Sequence, residues 1–340
     1  MQKATWKTGL SPTLLFNVKD PDHLGKRIMA KQRKPLVDIL VYLAVRMVVC
    51  ALQALPLETA RGIARSLAWL IFQLDKRHRQ VARDNLVHAF PSLATQPKKL
   101  DNLVYRVLCH FCQLMVEIIH LPRLMHVRSW RDYMDLGGDE RMVQALLSKR
   151  PLMIVTGHFG NWEMAGYSLG ALGFKTHAIA RVLDNPHLEK YLRNFRERTG
   201  QKVLAKKGDF DQMEGILAQG GVIATLADQD AGPRGQFVEF FGRPASTHKA
   251  VALMALEYKV PLAVVGVPRV GPALKYRVEC EDFIYPEDYQ NRPDAVKAIT
   301  QRYTSALERI IRRHPEQYFW LHRRWKHQPM EKKVKKPAAA

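Results

Sequence analysis

The spacing of apolar positions divides this chain in two. From Leu36 to Leu121 they recur at helical intervals; beyond Lys149, short apolar runs alternate with helical stretches. The first region opens on Leu36–Leu57, an apolar run of about membrane-span length with Asp38 at its start and Arg46 near its middle. Three readings fit: a helix lying in the interface, a short span whose Arg46 faces protein, or a buried core helix. In Leu74–Leu93, Lys76, Arg77, Arg79 and Arg83 alternate with Val81, Leu86 and Val87. That pattern predicts an amphipathic helix ended by Pro91, its basic face either solvated or laid on lipid head groups. Gln96–Leu121 is a further helix.

In the second region, strand-like runs fall at Leu152–Thr156, Thr176–Arg181, Lys202–Ala205, Val222–Ala227 and Leu262–Val267. Helical patterns intervene near 161–172, 186–199, 209–219 and 248–258. The alternation predicts an α/β fold, with a mostly parallel or mixed sheet flanked by helices. Phe240–Thr247 reads as a turn into a helix capped by Ser246 or Thr247. Tyr276–Phe283 reads as a more exposed strand, and Asp294–His314 as a last long helix. The expected organisation is a flexible basic arm (1–35), a membrane-associated helical region (36–121), an α/β domain (122–327) and a disordered basic tail (328–340). The first apolar run starts too late for a cleavable signal peptide.

Charge and cysteines narrow the classes. A formal charge of +21 favours polyanionic partners: anionic lipid, an acidic protein or nucleic acid. No zinc-finger spacing or RNA-binding aromatic signature accompanies it, so nucleic acid is not the expected partner. Of the four cysteines, Cys109 and Cys112 form a CxxC inside a helical pattern. No second pair completes a metal site, so they read as core packing. Nothing suggests a disulfide framework, which fits a reducing compartment.

The chemistry concentrates at Pro151–Glu163, PLMIVTGHFGNWE, where a buried strand reaches Gly157 and His158 and then a helix start. This is a strand's carboxyl end, where open α/β sheets bind ligands. In one continuous helix, His158 and Glu163 would be offset by about 140° and roughly 7.5 Å. They meet only if His158 lies on the turn and Glu163 in the first helical turn. Glu163 then accepts a bond from one imidazole nitrogen and leaves the other as a base. About one His-x4-acid pair is expected by chance in this composition, so the strand–glycine–helix context carries the signal. A satisfied polar pair at a helix start is the plainer reading. Arg181 leaves a strand end toward the same crevice and suits phosphate or an oxyanion; a surface Arg is the alternative. Asp228 and Asp230 emerge at another strand end. Lacking a third acidic ligand, they suit orientation of basic partners rather than metal. Gly157 and Asn161 count as substrate-binding candidates, because the N–H groups of the 157–161 turn are possible oxyanion donors. Tyr318–Lys326 interleaves aromatics and cations, suiting a membrane interface, nucleic acid, or a core with a basic rim.

Several motifs in order resemble the lysophospholipid acyltransferase superfamily, and within it the lipid A biosynthesis lauroyl/myristoyl acyltransferases. They are LDKRHRQVARDNLVHAFP (74–91), GHFGNWE (157–163), ARVLDNP (180–186), LADQDAG (226–232), FFGRPAST (240–247) and FWLHRRWK (319–326). The resemblance implies a glycerolipid-acyltransferase-like fold at the cytoplasmic face of a bacterial inner membrane. It implies an O-acyltransferase moving a fatty acyl chain from acyl-acyl-carrier protein or acyl-CoA to a hydroxyl of a phosphorylated membrane lipid, a lipid A precursor foremost. His158 would be the base and Glu163 its partner, with Arg181 and Asp228 binding substrate. No cofactor or metal is expected. Acylation of another glycolipid or phospholipid, hydrolysis of a lipid ester by the same pair, and a non-catalytic membrane or nucleic-acid binder remain open at this point.

Overall fold

The computed structural model describes residues 34–137, 140–148, 150–205, 210–271 and 273–329. The expected basic arm lies almost wholly outside them, as does the tail from residue 330. The chain starts with four helices: α1 (Pro35–Ala54), α2 (Leu57–Leu74), α3 (Lys76–Ala89) and α4 (Pro97–Leu124). Pro35 and Pro97 suit a first turn that needs no N–H. Asp75 caps α3 by accepting the His78 N–H at 3.0 Å.

On α1 only Val49 is buried, so its apolar run is displayed rather than packed. It contacts α4, where Gln53 Nε2 donates to the Ile119 carbonyl at 2.9 Å, and α8 (defined below): Asn185 Nδ2 donates to the Asp38 carbonyl at 2.9 Å, and the Arg46 guanidinium lies 4.8 Å from the Tyr191 ring centre. Arg46 thus faces protein. α2 lays Ala60, Ala64 and Ala68 along its packed face, and small residues four apart let it approach α4 closely. α3 buries Ala82, Leu86 and Ala89. The apolar face of the 74–93 stretch is therefore core, and Lys76 and Arg77 stay exposed. α4 buries Glu117 completely, satisfied by Arg269, Arg61 and the Tyr276 hydroxyl.

The remaining elements are α5 (Trp130–Tyr133), β1 (Met134–Asp135), α6 (Glu140–Leu147), β2 (Leu152–Thr156), α7 (Trp162–Ala171), β3 (Thr176–Ala180), α8 (Pro186–Glu197), β4 (Lys202–Ala205), α9 (Phe210–Ala218), β5 (Val222–Leu226), β6 (Gln236–Phe240), β7 (Arg243–Thr247), α10 (Ala250–Glu257), β8 (Leu262–Gly266), β9 (Tyr276–Arg277), β10 (Glu279–Ile284) and α11 (Ala295–Arg313). Six strands form one sheet in the order β10-β8-β2-β5-β3-β4, parallel except for β10 at one edge. Met153, Val155, Ile223 and Val264 pack on one face toward α10 and α11, and Leu152, Ile154 and Val265 on the other toward α7. Both faces are covered, as the near-continuous apolar runs require.

One expectation fails. Phe240–Thr247 is not a turn into a capped helix but a two-residue hairpin between β6 and β7. Phe241 and Gly242 take φ of +52° and +71°, as a primed hairpin turn demands. Ser246 and Thr247 lie in β7, and the following helix starts only at Ala250 without a side-chain cap.

Candidate functional site

β2 and β5 are neighbours, with Thr156 opposite Leu226. Each reactive residue stands two positions past its strand, so equal offsets bring His158 and Asp228 face to face. The Asp228 carboxylate accepts the His158 main-chain N–H through Oδ2 and the ring Nδ1–H through Oδ1, both at 2.8 Å. Because a carboxylate accepts, Nδ1 carries the proton, and Nε2 presents a lone pair, to which the Gln229 amide can donate, whenever the ring is neutral. Nε2 lies on the open side, 3.4 Å from the Gln229 amide. A Cβ on Gly157 would stand 3.2 Å from the Asp228 carboxyl carbon, so the glycine lets that carboxylate reach the turn.

The acidic partner of the imidazole is thus Asp228, where the spacing pointed to Glu163. Glu163, in the first turn of α7, faces Arg196 of α8 instead; Arg196 Nε donates to Oε2 at 2.9 Å, and a second guanidinium nitrogen meets Oε1. Glu163 still acts on His158 through its charge. Arg181 follows β3, one strand beyond β5 on the same sheet edge. Its side chain is 81% exposed and paired only loosely with Asp184 at 3.4 Å, so it does not join the His158–Asp228 cluster directly. Asn161 is buried and caps α7 by accepting the Met164 N–H at 2.9 Å. The turn's own amides are spent: those of His158, Phe159, Gly160 and Asn161 all donate within the protein. Among the described residues, no three His, Cys, Asp or Glu side chains converge as a metal-binding group.

A wall of the site comes from the chain's end. Phe159 and Tyr318 form an antiparallel bridge, and the Phe319 N–H donates to the His158 carbonyl at 3.0 Å. The Trp162 and Phe319 rings flank the imidazole, with centres 5.2 and 6.1 Å from it. Tyr318 and Trp320 are fully buried, and buried Arg324 donates to the Ser246 carbonyl and the Thr247 hydroxyl at 2.6 Å. Of the readings open for 318–326, core with a basic rim is the one realised. Tyr318, Phe319 and His322 were not singled out by spacing, and neither was Arg196. For the first three the signals are the aromatic–cation mixture of 318–326 and the family-like FWLHRRWK run; for Arg196 the sequence carries none.

The electrostatics favour a charged pair. Burial alone would favour a neutral His158, but the Asp228 charge and hydrogen bond, with a smaller contribution from Glu163, outweigh it and raise the imidazole pKa. Burial would likewise raise Asp228, yet the facing His158, with help from His322, holds its carboxyl well below the usual range. Burial dominates at His322 and lowers its pKa.

An imidazole oriented by a buried carboxylate at the carboxyl edge of a parallel sheet can take a proton from a hydroxyl or a water. Fold and site together define an α/β protein with a carboxylate-oriented histidine at the carboxyl edge of its parallel strands. Comparison with known proteins narrows this. Residues 30–327 match the family described as Bacterial lipid A biosynthesis acyltransferase, and the chain belongs to that family, whose members are acyltransferases. It is 27% identical over 263 residues to the lipid A biosynthesis palmitoleoyltransferase of Escherichia coli (strain K12), covering 75% of this chain and 81% of the relative. The lauroyltransferase of the same strain is 23% identical over 282 residues, 81% and 88% of the two chains. A phosphatidylinositol mannoside acyltransferase of Mycobacterium tuberculosis (strain H37Rv) is 26% identical over 215 residues, 62% and 66%.

Proposed function

We propose that this protein transfers a fatty acyl chain from a carrier thioester, acyl-acyl-carrier protein or acyl-CoA, to a hydroxyl of a lipid A precursor. His158 is the general base, and the observation that carries the assignment is its Nδ1–H bond to buried Asp228 at 2.8 Å. Nε2 takes the acceptor hydroxyl proton as the oxygen attacks the thioester carbonyl. The tetrahedral intermediate then expels the thiolate, which leaves as a thiol with that proton. Asp228 keeps the tautomer and offsets the imidazolium charge. Glu163, held by Arg196, adds negative charge near the ring. With the amides of 158–161 already engaged, Arg181 and the positive end of α7 are the candidates for the oxyanion and the acceptor phosphate.

The acceptor class rests on the family and on the relatives that act on lipid A. The phosphatidylinositol mannoside acyltransferase likeness, at similar identity, supports a second reading with another phosphorylated glycolipid as acceptor. The displayed apolar surface of α1 supports attachment to the bilayer, at the cytoplasmic face of the inner membrane where the carrier thioester would be met. The test uses purified full-length protein with an acyl thioester and, separately, a lipid A precursor, a mannosylated phosphoinositide, or no acceptor. Acyl lipid A precursor as the main product is the expected result, and His158→Ala lowers turnover roughly 10²-fold or more with folding retained. Free fatty acid at the same rate without acceptor would make the protein a hydrolase instead.

A further inference from the structure

We propose that Asn85, on α3, is a positioning residue for the transfer: its amide holds the 318–322 loop against the His158–Asp228 pair. The proposal rests on the base assignment above. Asn85 belongs to the basic 74–91 stretch, whose apolar face is core but whose buried polar residue the site chemistry has not yet used. It is buried, and Nδ2 donates to the Trp320 carbonyl at 2.7 Å and the His322 carbonyl at 2.8 Å, in a loop 235 residues further along the chain. Both donors of one amide are thus spent on two carbonyls of one short loop, which fixes its position and its tilt.

That loop packs against His158 and Asp228. The Phe319 N–H bonds the His158 carbonyl at 3.0 Å, and the Tyr318 hydroxyl faces the Asp228 carboxylate. His322 Nδ1 bonds the Phe319 carbonyl at 2.7 Å, and the His322 ring stacks on Phe319 with a 9° tilt. Moving the loop therefore moves the groups that exclude water from Asp228 and wall in His158. Asn85 is not needed to attach α3, since Ala82, Leu86 and Ala89 already bury that helix. Nor is it needed to keep the loop folded, because Trp320 Nε1 is tied to the Pro315 carbonyl at 2.7 Å and Arg324 to β7. What the amide adds is alignment.

The test compares wild type, Asn85→Ala and Asn85→Ser in full-length, detergent-solubilised protein. A misplacement of about 1 Å at a reacting group costs up to about 10²-fold, so kcat should fall roughly tenfold or more in Asn85→Ala, with KM for thioester and acceptor within about twofold. Asn85→Ser, which keeps one donor, should fall between. In an Asp228→Asn background, Asn85→Ala should change kcat by less than about twofold, because the pair it aligns is already disabled. An equal loss in both backgrounds, or an unchanged kcat, overturns the proposal. A second arm needs no activity: hydrogen exchange of a peptide spanning 318–322 should quicken in Asn85→Ala and Asn85→Ser, and unchanged exchange refutes the clamp. Absence of transfer by the wild type would overturn the acyl-transfer reading itself, while the exchange arm still decides whether Asn85 holds the loop.

Discussion

Asp228→Asn separates the two carboxylates as partners of His158. Asp228 accepts two bonds from that residue, one from the main-chain N–H and one from Nδ1, both at 2.8 Å. Asparagine has the same shape but one acceptor oxygen. If that oxygen keeps the rigid main-chain N–H, the amide NH₂ faces Nδ1 and demands a lone pair there. The ring proton then moves to Nε2, the nitrogen on the open side beside Gln229, and the base is lost where the acceptor must arrive. Loss of the orienting carboxylate in a histidine-based triad costs about 10⁴-fold, and general-base catalysis as a whole roughly 10²- to 10⁴-fold. We expect kcat to fall within that range, about 2.7–5.5 kcal/mol of barrier. The pH dependence adds a sign. Wild-type kcat/KM should rise with pH through an apparent pKa above 6.5, because Asp228 overcomes burial. Without Asp228, burial wins, and the acidic limb of the residual activity moves to lower pH. Stability follows the same pair. The raised His158 pKa stabilises the fold fully below its unfolded value and loses that effect as pH rises through the folded value; the depressed Asp228 pKa stabilises above its unfolded value and loses that effect on acidification. The variant's deficit is therefore largest between 3.8 and 6.5. Initial rates with radiolabelled thioester across this range, alongside thermal unfolding, give both readings. Turnover within roughly threefold of wild type, or an acidic limb that moves upward, would refute Asp228 as the orienting acid and return that role to Glu163.

Two further substitutions test the surroundings. Gly157→Ala puts a methyl 3.2 Å from the Asp228 carboxyl carbon; turnover should fall roughly tenfold or more while the unfolding midpoint moves little, and equal proportional effects would argue for simple packing. On α2, Ile63, Leu67, Leu70 and Leu74 form an exposed stripe, 45–70% accessible, just ahead of the exposed Lys76 and Arg77. Deleting residues 1–57 should release much of the protein from anionic liposomes in a flotation assay. Adding Leu67→Glu and Leu70→Glu should remove the remainder, each leucine contributing about 1 kcal/mol. A truncated protein that floats equally well with both charges assigns the residual contact elsewhere.

The parallel strands were readable because each is a short apolar run bounded by turn residues, buried on both faces. The hairpin at 236–247 was not. Ser246, Thr247 and a nearby helical run imitate a capped start, and Pro244 argues against a strand; yet β7 pairs only with β6, and a two-stranded ribbon tolerates a missing donor. The histidine was legible for the same reason as the strands, since its turn is local. Its acid was not, because a His-x4-acid rule searches along the chain while the partner lies 70 residues away. The clue was there in a different form: Leu152–Thr156 and Val222–Leu226 each end two residues before a polar side chain, so adjacent parallel strands in matching register bring those side chains together.

The least legible property is that the helical region and the sheet share one site. Sequence patterning separates them between Leu121 and Lys149, where the hydrophobic period changes. Physically the boundary is bridged by polar groups whose partners sit far off in sequence: Glu117 with Arg269, Asn85 with 320–322, Asn185 with Asp38. Period reveals which face is buried, not which polar group it meets. The bridges also give the proposed membrane attachment a mechanical meaning. With α1 on the bilayer, its contacts at Asp38 and Arg46 would hold α8, whose Arg196 grips Glu163 in the first turn of α7. The same contacts border the 181–185 loop, where Arg181 is exposed and held only by Asp184, beside the helix proposed to meet lipid. On the proposed reading, a phosphorylated acceptor would find Arg181 exposed after β3, one strand over from β5, whose end carries the Asp228 that orients the base.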